Sequence, residues 1–391
     1  MRGSIQIAKC FGIPVLVHWS FLLLGVFVVY VGKSKNADWG NIAVFGLFVL
    51  ALFFCVILHE FGHALSAKYY GVNTRDITIL PIGGMARLDK LPEKPFQEFV
   101  VAVAGPAVNV VIFVVLSLFL SIFYDIHLTF RELMTSEVEE IIIDPKINFL
   151  ITLIQANLWL VVFNMIPAFP MDGGRVFRAL LAMQIGRTQA TRIAAFFGQA
   201  ISMAFFVYAL MPLFKDLLPD TTMIGEYLNS IKWQFQPVLS LISIFIFYNA
   251  RSEYKHVRMD EILSRHTISN ILRTHFTRLK TSDLVQTAAS EMKKGNESNF
   301  LVFDDDDLLR GLLQDDDVLD SVKNKDYNAL VMTYMTTNFQ RAKPFDSIRE
   351  VYYKMLNSGQ YLTPVMNGDE LIGVVDMAML QNFIASHEKV S

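Results

Sequence analysis

His59, Glu60 and His63 stand in the order His-Glu-x-x-His. On a helix, residues four apart share a face, so both imidazoles project together. That spacing suits two ligands of one tetrahedral Zn²⁺, with Glu60 beside them as general base toward a water. The chemistry these residue types carry is metal-assisted hydrolysis. A pattern this short also arises by chance on soluble helices, so its surroundings decide the reading. From Ile42 to Leu58 there are 17 consecutive uncharged residues, which as a helix span ~26 Å. Two His and one Glu then arrive together. Ionisable groups at membrane depth are costly, and where they persist they mark sites of function.

Two His do not complete a catalytic Zn site, which usually takes three protein ligands and leaves one position open. Among residues on apolar segments, Asp172 is the outstanding third candidate. It lies in Asn164-Met165-Ile166-Pro167-Ala168-Phe169-Pro170-Met171-Asp172-Gly173-Gly174, which interrupts an apolar run. Gly173 and Gly174 permit close backbone approach. Asp172 alone reads equally well as the N-cap of a helix resuming at Gly173.

The elements that must hold these residues are membrane helices. The chain has 391 residues, 53% of them hydrophobic, with 32 Phe. The apolarity fills the first two thirds and gives way to charge after about residue 250, which predicts a membrane domain over 1–250 and a soluble domain over 251–391. The expected fold is therefore a polytopic α-helical membrane domain followed by an α/β domain. Six segments are long enough to cross a bilayer: Ile13 to Val31, Asn41 to Tyr69, Phe96 to Tyr124, Ile147 to Ile166, Thr188 to Phe214, and Lys232 to Ala250. The first follows Arg2 and Lys9, lacks a small-residue cleavage site, and is read as retained rather than as a leader. The broken fourth segment is itself a site signal, because non-helical backbone at membrane depth must be buried in protein or line a wet cavity.

Basic residues set the orientation. Arg2, Lys9, Lys68, Arg75, Arg87, Lys90, Lys94, Arg175, Arg178, Arg187, Arg192, Arg251, Lys255 and Arg258 fall in one set of alternating loops. Only Lys33, Lys35, Arg131, Lys146, Lys215 and Lys232 fall in the other. Both termini are expected in the cytoplasm, with the metal site sunk in the inner leaflet of a cytoplasmic membrane. The net charge of −3 gives no sign of nucleic acid, and Cys10 and Cys55 imply no disulfide framework. Between the second and third segments, Asp76 to Asp89 is too short to cross. Its β-branched Ile77, Thr78 and Ile79 and the turn at Gly83-Gly84 predict a β-hairpin, either membrane-associated and dipping in beside the metal or lying as an amphipathic surface loop.

At this point the chain resembles the site-2 protease family of intramembrane zinc metalloproteases. The likeness rests on His59-Glu60-Phe61-Gly62-His63 and on Asn164-x-x-Pro167-x-x-Pro170-x-Asp172-Gly173. Ala104-Gly105-Pro106-Ala107-Val108-Asn109 and the His18-Trp19 pair support it. The resemblance implies that His59, His63 and Asp172 hold one Zn²⁺ and that Glu60 activates water. It also implies a hairpin whose edge receives an unwound substrate. Asn109 and Asn164 either support the scissile carbonyl or the ligands, or simply bond a neighbouring helix. His18 and Cys55 read better as packing residues than as ligands.

After Arg251 a weak repeat appears. Leu279 to Leu313 and Ala342 to Val375 align Asp283 with Asp346 and Gly311 with Gly373. This looks like a tandem pair of cystathionine-β-synthase (CBS) domains, modules that the resemblance associates with nucleotide sensing or dimerisation. The positions that would contact a nucleotide hold Gln314, Asp317, Asp376 and Met379, of which only Asp317 fits, so nucleotide binding is doubtful. The expected function is a zinc-dependent endopeptidase of membrane-tethered proteins, such as anti-sigma factors or signal-peptide remnants. The rival is a CBS-gated transporter using the same His and Asp as an ion pathway.

Overall fold

The computed structural model describes residues 3–81, 83–89, 92, 94–134, 144–211, 213, 236–295, 297–324, 326 and 328–389. The chain divides into two compact units, Met1–Tyr254 and Lys255–Ser391.

The first unit opens with a strand, not a helix. β1 (Ser4–Cys10) runs antiparallel to β2 (Ile13–His18), and only then does α1 (Phe21–Ser34) begin. The expected first span is thus split. Alternating Ile13, Val15 and Val17 favour a pleated strand, and the sheet supplies β2 with partners on both sides. The 14 residues of α1 reach ~21 Å, short of a bilayer core of ~30 Å. α2 (Trp39–Tyr69) follows, its N-terminus capped by the Asp38 carboxylate, which accepts from the Gly40 and Asn41 amides.

β3 (Thr74–Leu80) and β4 (Gly83–Leu88) pair antiparallel, and β3 also pairs parallel with β2, giving the order β1-β2-β3-β4. Ile13, Val15, Ile77 and Ile79 pack with Phe61 and Ala64, so one face of the sheet sits on the helix bearing the His-Glu-x-x-His run. α3 (Pro95–Tyr124) lies against α2, α5 (Pro145–Asn164) and α6 (Asp172–Ile185), with the short α4 (Phe130–Met134) between them in sequence. Pro95 and Pro145 stand in the first turns of α3 and α5, where a missing N–H costs nothing. α7 is Arg187–Leu210 and α8 is Pro237–Arg265.

Four of these helices, α2, α3, α5 and α7, are long and apolar enough to cross a membrane. α8 is apolar as far as Ala250 and charged beyond it. The expected end of the fifth span at Phe214, the start of the sixth at Lys232, and Ile82 of the hairpin lie outside the described residues.

The second unit repeats one pattern. β5 (Arg278–Lys280) pairs parallel with β6 (Phe300–Phe303), which pairs antiparallel with β7 (Leu309–Leu313). α9 (Val285–Lys293) falls between β5 and β6, and α10 (Asp315–Lys323) follows β7. After the single turn of α11 (Val331–Tyr334), a parallel bridge from Ala342 to Val365 takes the place of β5. α12 (Ile348–Ser358), the antiparallel pair β8 (Leu362–Asn367) and β9 (Glu370–Asp376), and α13 (Met377–Lys389) complete the second copy. Gly311 and Gly373 fall in β7 and β9. Asp304 to Asp307 form the turn between β6 and β7, where Asp304 pairs with Arg310 and Asp307 with Arg278.

Candidate metal centre

His59 and His63 face α6 from the last third of α2, both buried. His59 Nε2, His63 Nε2 and Asp172 Oδ2 stand 3.1 Å from one another. Asp172 is the first residue of α6, and its N-cap is Met171. Of the two readings of Asp172, the cap is therefore replaced by a carboxylate turned onto both imidazoles. Close packing makes this possible: a Cβ on Gly173 would stand 2.4 Å from the carbonyl oxygen of Ile166.

The outer nitrogens of the two rings decide what the inner ones offer. His63 Nδ1 lies 2.7 Å from the carbonyl oxygen of Val101, which can only accept, so Nδ1 carries the proton. His59 Nδ1 meets the Oδ1 of Asn109 in a short hydrogen bond and is likewise the donor. As neutral rings, both then present bare Nε2 lone pairs toward a carboxylate oxygen. In that state three acceptors converge with no proton among them, an arrangement that a cation satisfies. Their 3.1 Å separations match the ~3.3 Å edge of a tetrahedron with bonds of ~2.0 Å. Gly105 of α3 leaves the space: a Cβ there would sit 2.2 Å from His63 Nε2 and 2.7 Å from His59 Nε2. His59, His63 and Asp172 fit Zn²⁺.

Glu60 points elsewhere. Its Oε2 accepts the backbone N–H of Ala86 in β4 at 2.9 Å. Gly84 passes so close that a Cβ would meet Glu60 Cγ at 2.8 Å. The general-base candidate therefore leans on the strand at the sheet's edge.

The strand order corrects the reading of the hairpin. Ile77, Thr78 and Ile79 lie on β3, an interior strand whose backbone is committed to β2 and β4. Their side chains are buried as well. Among the described residues, the strand beside the metal centre with a strand partner on only one side is β4, which carries Gly83 and Gly84. Burial works against the charge of the Asp76 carboxylate. Bonds from Arg87 and Thr78 outweigh it and hold that carboxyl below the ordinary range.

Asn164 ends α5, half-buried, and makes none of the contacts around the three ligands. His18 bonds Ser20, and Cys55 lies against Asn157; neither joins the ligand set. Asn157, which no sequence motif marks, is a fully buried amide bonded to Asn109. Its signal was present, as one of two polar side chains, with Gln155, between Leu153 and Leu158 in an apolar run. In the second unit Asp317 closes a capping box with Gln314, so the one residue fitting the nucleotide pattern also serves a helix end. Asp376 caps α13 through the Met379 amide.

The Peptidase family M50 model matches residues 47–208, a range that holds His59, Glu60, His63 and Asp172. The CBS domain model matches residues 331–386. A zinc metalloprotease of Methanocaldococcus jannaschii is 33% identical over 272 residues, 70% of this chain and 67% of that protein. Stage IV sporulation protein FB of Bacillus subtilis is 28% identical over 146 residues, 37% of this chain and 44% of that one. The solved site-2 protease of M. jannaschii is 33% identical, with a TM-score of 0.42 over 64% of this chain and 95% of that structure. The chain thus belongs to peptidase family M50, the site-2 protease family of zinc metalloproteases, and carries a CBS domain in its second unit.

Proposed function

We propose that this protein cuts the transmembrane segment of a membrane-tethered protein within the leaflet facing the cytoplasm. The observation that carries the reading is a buried His-His-Asp ligand set whose helix also bears Glu60, with its carboxylate on the Ala86 amide of β4. In the proposed topology α1 and the Pro237–Ala250 part of α8 join the four longer helices as six crossings. Both termini then face the cytoplasm, the positions that the basic residues favour. α1 is short for a crossing and needs local thinning of the bilayer. The hairpin of β3 and β4 dips toward the membrane beside the metal centre.

A helical substrate hides its carbonyls in its own hydrogen bonds and must unwind to be cut. An extended substrate segment added along β4 recovers backbone bonds lost in unwinding. The Ala86 N–H is the donor it meets there, and it is the donor that Glu60 holds. A substrate carbonyl that takes this N–H releases the Glu60 carboxylate. Zinc, when bound by His59, His63 and Asp172, supplies a Lewis acid that polarises the scissile carbonyl and activates water. Glu60 takes the proton of the attacking water and delivers it to the leaving amine nitrogen. Asn109 keeps His59 in the tautomer whose Nε2 faces the ligand set. Asn164 has no role in this scheme.

Substrates of this kind include membrane-tethered regulators such as anti-sigma factors, and signal-peptide remnants. The second unit, read as tandem CBS domains over 251–391, serves dimerisation or substrate docking more readily than nucleotide binding. The test is Glu60→Gln in the full-length protein in proteoliposomes. Zinc stoichiometry stays at one per chain, while cleavage of a model transmembrane substrate falls by about 10²–10⁴. Cleavage at the parent rate, or ion flux without cleavage in the parent, overturns the proposal.

A further inference from the structure

The two imidazoles are fixed by different means. His63 Nδ1 donates straight to a main-chain carbonyl, that of Val101. His59 Nδ1 donates to a side-chain amide, and an amide has two ends. If Asn109 turned over, its NH₂ would face His59 Nδ1 and demand a lone pair there. The ring proton would move to Nε2, the atom facing Asp172 and His63. Something must forbid that turn.

Asn157 does so. Its Nδ2 donates to the carbonyl oxygen of Leu153 at 2.9 Å and lies 3.5 Å from Cys55 Sγ. A main-chain carbonyl only accepts, so this end of Asn157 must be the NH₂ end. Its Oδ1 is then the end that faces Asn109, and it accepts Asn109 Nδ2 at 2.8 Å. Asn109 in turn must show Oδ1 to His59. The polarity of one backbone carbonyl on α5 is passed through two amides to one ring nitrogen on α2. Both amides are fully buried, so water offers neither an alternative partner. A bland account holds Asn157 as interhelical glue. Glue between α3 and α5 requires a bond but no particular direction. Here every bond has one direction, set by the Leu153 carbonyl.

We infer that Asn157 is a positioning residue for zinc binding, fixing the His59 tautomer through the amide of Asn109. Cys55 is a weak acceptor at the edge of the relay and contributes little. The inference rests on the metal-centre reading but is tested without cleavage. Zinc affinity is measured by chelator competition for the full-length parent, Asn157→Leu, Asn109→Leu and the double variant. The tautomer of His59 is read in the zinc-free proteins from ¹⁵N shifts of labelled histidine.

Loss of either amide weakens zinc by about 10–100-fold, as removal of an outer hydrogen-bond partner of a ligand does. The double variant is no weaker than Asn109→Leu alone, because the relay acts only through Asn109. The parent shows His59 protonated on Nδ1, and Asn157→Leu shows a mixture, while His63 stays unchanged. Asn157→Ser, which disturbs packing less, is measured in parallel and shows the same mixture if the leucine variant fails to fold. Cys55→Ala binds zinc as the parent does. Parent-like zinc affinity and tautomer in folded Asn157 variants overturns the inference, as does a full additive loss in the double variant. Absence of zinc binding by the parent would instead defeat the metal-centre reading itself.

Discussion

α6 carries two buried polar clusters, and they are built on opposite logic. At its first residue, Asp172 meets His59 and His63, which as neutral rings make three acceptors without a donor. Further along, Arg178 is fully buried and closed on itself by acids. Its Nε donates to Glu98 of α3 at 2.8 Å, and its terminal nitrogens bond Glu98 and Glu253 of α8. Donors there face acceptors, and nothing further is wanted. A closed cluster fixes how helices pack; an open one has an unfilled electrostatic demand. Burial and charge alone do not separate the two. The direction of each hydrogen bond does.

Asp172→Asn gives the largest break in this comparison. It removes the charge from the open cluster and turns one acceptor into a possible donor that an Nε2 lone pair would satisfy. The expected result is zinc retention weakened beyond the about 100-fold of an outer partner, with cleavage lost in step. Zinc held as tightly as in the parent, measured by competition, would move the third ligand elsewhere. Gly105→Ala attacks the same cluster by volume. Its new methyl group falls on the space that the ligands surround, 2.2 Å from His63 Nε2. Zinc affinity drops by at least about tenfold while every ligand remains, and zinc content of the purified variant reports it.

Arg178→Met sharpens the other side. Removing one partner of a buried ion cluster leaves carboxylates unpaired and costs ~3–5 kcal/mol. The variant should unfold at a lower temperature. Its folded fraction should bind zinc with nearly the parent's affinity, since no bond joins Arg178 to the ligands. A selective loss of zinc at unchanged thermal stability would show that the closed cluster also tunes the metal centre.

How much of this was legible in the sequence follows from the range of each interaction. His59, Glu60 and His63 are set by helical periodicity alone, so their spacing sufficed. Asp172 was visible because a carboxylate and two glycines interrupt an apolar run. The four longest apolar helices were readable by length and hydropathy. The strand β2 was not, because Ile13 to Val17 is apolar enough to pass for the start of a helix. Its true partners, Ser4 to Cys10 and Ile77 to Ile79, are set by tertiary pairing. The same parallel pairing placed β3 inside the sheet and gave the free side to β4. Asn157 was overlooked for a related reason. Its meaning lies in a bond to α3, 48 residues away in sequence, and in the direction of that bond.

The smallest effect concerns the sheet rather than either cluster on α6. Asp76 is buried on β3 and accepts two bonds from Arg87 on β4 and one from Thr78. Burial alone would raise its pKa, but these bonds outweigh it and leave the folded value below the unfolded value of about 3.9. For a carboxyl depressed by folding, the unfolded chain takes up the proton first. The stabilisation is therefore present above pH ~4 and disappears as the pH falls through the folded value. Arg87→Met removes the larger opposing partner and leaves only the Thr78 bond against desolvation, so the carboxyl rises from its depressed value. At neutral pH the variant should melt about 2–4 °C below the parent, the effect of roughly 1 kcal/mol on a unit of this size. The gap should narrow between pH 5 and pH 3, because only the parent has this stabilisation to lose. Thermal unfolding of both proteins across that range measures it. A gap that stays constant with pH would mean that Arg87 supports the β3–β4 pair by packing its side chain, and that its charge is incidental.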